Sequence, residues 1–173
     1  MSELVLACAF ACSCTTANGG AVDLSWTLRP QSGTTDPNIP SPFVDCGLKG
    51  NDSTTPLAGP VEWIELDWAV GAVTGQRTFC CYLEHGVTTF DLPQGTASLS
   101  VVPLCGDGNP AEDGTYVAPA PVLRSVTEGA TITLGAVELI VDVASNETDC
   151  SGGSGTTPCI CANIPIDNHK CSQ

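Results

Sequence analysis

The sequence predicts an all-β fold, a Greek-key-type antiparallel β-sandwich stapled by disulfides, and three observations predict it. Successive segments alternate apolar and polar residues with the period of two that a half-buried strand requires, among them Ala21 to Leu28, Val61 to Val70 and Ala97 to Val101. Glycine, proline and asparagine break the pattern between these segments, at the spacing of strands in a sandwich. Eleven cysteines are present, none in the paired C-x-x-C of a zinc ribbon, so they read as a disulfide framework made in an oxidising compartment. An odd number leaves one thiol over, unless it is modified, removed or paired between chains.

Length and charge bound the answer further. A chain of 173 residues has room for one domain with a continuous core, plus loops and tails. Nineteen acidic residues against five basic ones give a net charge of -14, and Arg29, Lys49, Arg77, Arg124 and Lys170 lie far apart in sequence. Nucleic acid and anionic membrane surfaces are therefore poor partners. No apolar run reaches the length of a transmembrane helix.

The chain divides into an N-terminal segment over 1–20, a sandwich over 21–143 and a Gly/Ser/Cys-rich tail over 144–173. In the first segment the apolar run Leu4 to Cys12 stands before a polar stretch of Thr, Asn and Gly. Val5-Leu6-Ala7-Cys8 resembles a bacterial lipobox, which makes Cys8 a candidate lipid anchor; the basic n-region of a complete signal peptide is missing, with Glu3 in its place. The alternative is an edge or donor strand with Leu4, Leu6 and Phe10 on one face. Ala21 to Leu28 is the first clear strand, with Val22, Leu24, Trp26 and Leu28 inward and Asp23, Ser25 and Thr27 outward. Arg29 to Pro60 contains Pro30, Pro37, Pro40, Pro42, Pro56 and Pro60 and reads as a long proline-rich loop, with Cys46 as a pin.

Val61 to Val70 turns Ile64, Leu66, Trp68 and Val70 inward, which leaves Trp63 on the other face beside Glu65 and Asp67. A Trp there is a candidate binding residue for a sugar or a partner's side chain, unless the long loop folds over it. Gln76 to Leu83 follows, after Gly71 and the turn-like Thr74-Gly75, and the adjacent Cys80 and Cys81 should bond different partners. His85 to Leu104 reads as two paired strands joined at Pro93-Gln94-Gly95, with Thr88, Phe90 and Leu92 on one face. Cys105 to Pro121 is a loop by every local signal. Val122 to Val126, Ala130 to Leu134 and Val137 to Val143 read as three short strands, with Gly135-Ala136 as a turn between the last two.

The chemistry-bearing residues are few. The disulfide candidates are Cys46, Cys80, Cys81, Cys105, Cys150, Cys159, Cys161 and Cys171. Cys150, Cys159, Cys161, His169 and Cys171 match no standard zinc spacing. Asp107, Asn109 and Asp113 crowd oxygen ligands onto a Gly-containing turn and invite calcium, but Ala111 sits where the EF-hand pattern needs a ligand and no glutamate closes the loop. A plain turn uses the same residue types. Only His85 and His169 are bases near neutral pH, and no G-x-S-x-G, P-loop, G-x-G-x-x-G or H-E-x-x-H is present. No cofactor is expected.

The runs VDLSWTL, VEWIELDW, FCC, LPQGTASLSVVPLCGDG and VTEGATITLGAVELIVDV together resemble the sandwich modules of secreted bacterial lipoproteins of the myxobacterial type, which are similar to transthyretin-like or prealbumin-like folds. In the transthyretin-like pattern L-P-x-G-x-Y, Leu92-Pro93-Gln94-Gly95-Thr96-Ala97 places Ala97 where the aromatic stands. The resemblance implies a surface or secreted module and transfers no catalytic residue. The expected function is a non-enzymatic extracytoplasmic binding or structural module, lipid-anchored or secreted, whose partner is a protein or glycan at the cell surface. Two alternatives stand beside it: a self-assembling filament or surface-layer subunit that uses Leu4 to Phe10 as a donor strand, and a secreted hydrolase with a carboxylate pair.

Overall fold

The computed structural model describes residues 18–30, 46, 61–141 and 160–161. Among these residues eight strands form two four-stranded sheets: β1 (Ala21–Pro30), β2 (Val61–Val70), β3 (Val73–Cys80), β4 (His85–Val87), β5 (Gly95–Cys105), β6 (Tyr116–Val117), β7 (Val122–Val126) and β8 (Thr131–Val141). One sheet runs β4-β1-β8-β6, the other β3-β2-β5-β7. The expected disulfide-stapled β-sandwich is the architecture observed.

Each sheet contributes the apolar alternates of its strands to a shared core. Val22, Leu24 and Trp26 of β1 and Val137, Leu139 and Val141 of β8 meet Ile64, Leu66 and Trp68 of β2 and Ala97, Leu99 and Val101 of β5. The Trp26 indole Nε1 donates to the Cys81 carbonyl at 2.8 Å, and its ring lies 5.9 Å from that of Phe79. A buried indole N–H is thereby satisfied. Opposite Trp68 in the β2–β3 register stands Gly75, and a Cβ there would lie 2.4 Å from the Trp68 ring. Only a residue without a side chain leaves room for the ring.

Four local expectations need correction. The turn between β2 and β3 is Gly71-Ala72, and Thr74-Gly75 belong to β3. Val70 and Val73 close a two-residue hairpin with Gly71 at φ 58°, a conformation glycine adopts freely. His85 to Leu104 is no hairpin: β4 pairs with β1 in one sheet and β5 with β2 and β7 in the other, so Thr88 to Gln94 crosses between sheets. Thr88 and Leu92 are buried in that crossing, as alternation predicts, but Phe90 is exposed, because the backbone there is no longer a strand. The segment from Ala130 onward is one strand; Gly135, at φ 72°, forms a bulge against β1, where the register passes from Asp23↔Thr133 to Leu24↔Gly135.

The pairing of β1 with β8 is parallel over ten residue pairs, whereas the alternation led us to expect antiparallel neighbours throughout. Every other strand pair is antiparallel. The Cys105 to Pro121 loop also contains the short strand β6, which extends the first sheet beside β8.

Disulfides tie distant segments to this frame. Cys46 bonds Cys81, and Cys105 bonds Cys161. Cys80 is also disulfide-bonded, and because Cys81 bonds Cys46 the two adjacent cysteines take different partners. Cys81 is fully buried in a short 3-10 turn, Cys81–Leu83, while Cys80 is half-buried at the end of β3. Cys46 and Cys161 are each tied to the sandwich in this way.

Candidate functional site

The outer face of the β3-β2-β5 sheet sets several polar side chains beside an indole. Because β2 alternates, Trp63, Glu65 and Asp67 share that face, each half-buried, while Ile64, Leu66 and Trp68 fill the core. Across the ladders, Glu65 stands opposite Thr78 and Val102, and Asp67 opposite Gln76 and Ser100. The Gln76 side-chain amide donates to Glu65 Oε2 at 3.0 Å.

Electrostatics mark these carboxylates. Burial raises the pKa of Glu65 above the ordinary glutamate value, and the nearby charge of Asp67 raises it further. Burial alone raises that of Asp67. Tyr116 also titrates above its ordinary value, first from burial and then from the charges of Asp113 and Asp67. Two partly desolvated carboxylates two residues apart, with an indole in line, make a surface that seeks hydrogen-bond donors around an apolar platform.

Gln76, Thr78 and Ser100 escaped the sequence reading. The signal was present: once the hairpin turn sits at Gly71-Ala72, the register places Gln76 directly across from Asp67. With the turn at Thr74-Gly75, that alignment was lost.

The turn at 107–109 is built by local hydrogen bonds. The Asp107 carboxylate accepts the Asn109 main-chain N–H at 3.0 Å and the Asn109 side-chain amide at 2.7 Å, and these bonds hold its pKa below the ordinary value. This is the Asx-type turn that Asp and Asn form for their own reasons. Asp113 is exposed, and among the described residues no three His, Cys, Asp or Glu side chains are grouped to hold a metal ion. His85 lies on the other sheet, where its Nε2 is 2.7 Å from Asp23 Oδ1. Cys8, Cys150, Cys159 and Cys171 lie outside the described residues, as do His169 and the Leu4 to Phe10 segment.

The molecule is a disulfide-bonded β-sandwich, and among its described residues no helix is long and apolar enough to cross a membrane. No family model, no curated protein and no solved structure matches the chain.

Proposed function

We propose that the protein is a non-enzymatic binding module that works outside the cytoplasm and engages a neutral or cationic glycan through the outer face of the β3-β2-β5 sheet. The observation that supports this reading is the row Trp63, Glu65 and Asp67, half-buried along one strand, with Gln76 bonded to Glu65. A sugar ring offers an apolar face of C–H groups to an indole and a rim of hydroxyls to carboxylates and amides. A net charge of -14 disfavours anionic glycans. Disulfides at Cys46–Cys81 and Cys105–Cys161 fit an oxidising compartment. Anchoring through a diacylated Cys8 is part of the same proposal, and cell fractionation of a Cys8→Ser variant separates an anchored protein from a freely secreted one.

The binding test is calorimetric titration with neutral and amino-sugar oligosaccharides. Wild-type protein should bind, and Trp63→Ala should lose about tenfold in affinity, the scale of one aromatic stacking contact. Affinity indifferent to Trp63→Ala would remove this face from consideration. Turnover of the oligosaccharide that disappears in Glu65→Gln would instead support the hydrolase alternative.

A further inference from the structure

We infer that β3 is a self-association edge, along which a second copy of this chain adds its own β3 antiparallel to make one continuous eight-stranded sheet. The inference is independent of glycan binding. β3 ends its sheet, so one side of its backbone is unpaired among the described residues. It is eight residues long and pairs with β2 without a bulge. The other edges are shorter: three residues in β4, two in β6 and five in β7. Proteins normally guard an open edge with proline, charged side chains, a bulge or a very short strand. β3 has no proline and no bulge, and its one charge is Arg77.

Hydrogen-bond parity identifies which groups are open. In a two-residue hairpin the residues flanking the turn exchange both main-chain bonds, and hydrogen-bonded pairs then alternate along the ladder. Val73, Gly75, Arg77 and Phe79 therefore bond to β2, and Thr74, Gln76 and Thr78 point their N–H and C=O groups away from it. A strand laid antiparallel about a two-fold axis at Gln76 sets Gln76 against its own copy and Thr74 against Thr78 of the other chain. Every outward group on those three residues is then matched.

The side chains agree with that register. Along Val73-Thr74-Gly75-Gln76-Arg77-Thr78-Phe79 that register sets Val73 against Phe79, Thr74 against Thr78 and Gln76 against Gln76, with Gly75 giving room to Arg77. Cross-strand pairs of this kind, apolar with apolar and hydroxyl with hydroxyl, are the ones that stabilise sheets. Val73 is 52% exposed, large for an apolar residue, and the pairing would cover it. Two copies at -14 repel overall, and β3, with Arg77 and no acidic residue of its own, adds no negative charge at the seam. A two-fold pairing consumes both edges and stops at a dimer.

The test uses the full-length oxidised chain in sedimentation velocity across a concentration series. A reversible dimer is expected, with hydrogen-exchange protection of the Thr74, Gln76 and Thr78 amides rising with concentration and that of Gly75 and Arg77 unchanged. Gln76→Pro deletes an outward N–H and leaves the β2 ladder intact, so it should abolish the dimer while preserving the circular dichroism spectrum. Should that variant fail to fold, Thr74→Lys/Thr78→Lys places like charges opposite each other across the axis and should give a monomer that re-dimerises in high salt. A wild-type protein that stays monomeric, grows into open filaments, or dimerises regardless of these substitutions would overturn the inference.

Discussion

Trp26 and Trp63 are one side chain used in two opposite ways, and their surroundings decide which. Trp26 is 2% exposed, donates to the Cys81 carbonyl and packs on Phe79, so Trp26→Ala removes a core ring and its hydrogen bond together. Trp26→Ala and Trp68→Ala should each cost about 3–5 kcal/mol, and Trp63→Ala less than about half of that, in the order read from urea melts. Equal losses at all three would mean that Trp63 is core. This assignment was legible in the sequence, because alternation along β2 places Trp63 and Trp68 on opposite faces. Glu65 and Asp67 carry a second consequence. Their folded-state pKa values are raised, so the folded chain binds more protons than the unfolded chain between the ordinary and the raised values. Stability must therefore fall as pH rises through that window. Glu65→Gln and Asp67→Asn should raise the urea midpoint at pH 7, with the advantage vanishing below about pH 4, where unperturbed carboxylates also protonate. A midpoint gain that persists undiminished in acid would show that charge is not its cause.

At the scale of elements, period two is read easily and its interruptions are not. β1, β2 and the core face of β5 follow the apolar alternates closely, since burial of one sheet face is what selects those residues. Gly135 looked like a turn because the sequence does not distinguish a glycine that reverses a strand from one that bulges it; the answer depends on β1, which is more than a hundred residues away in the chain. Gly75 misled in the same way, its role set by the Trp68 ring across the ladder. The disulfides make a quantitative expectation at this scale. Cys46–Cys81 and Cys105–Cys161 join residues 35 and 56 apart, so opening either should cost about 4 kcal/mol by the chain-entropy estimate. The paired variants Cys46→Ser/Cys81→Ser and Cys105→Ser/Cys161→Ser, compared with the oxidised wild type in denaturant, measure it. Losses well under about 1 kcal/mol would mean that neither bridge stabilises the sandwich.

Over the whole molecule, periodicity says which face of a strand is wet but not which strand lies beside it. His85 to Leu104 has the alternation of a hairpin, yet its two halves lie in different sheets, because β1 offers β4 a neighbour and β2 offers one to β5. The candidate face on β2 could be read from its own strand, whereas Gln76 and Ser100 depended on register with two others. The longest-range of these pairings is β1 with β8, the first and last described strands, and it bears on how the protein is made. A ribosome needs roughly 5–20 s to add the ~110 residues that separate them, at ~5–20 residues per second. For that interval β1 has no β8 to lie against. A first strand without its parallel neighbour has nothing on that side to close on, and a polypeptide in that condition can still be threaded through a translocation channel.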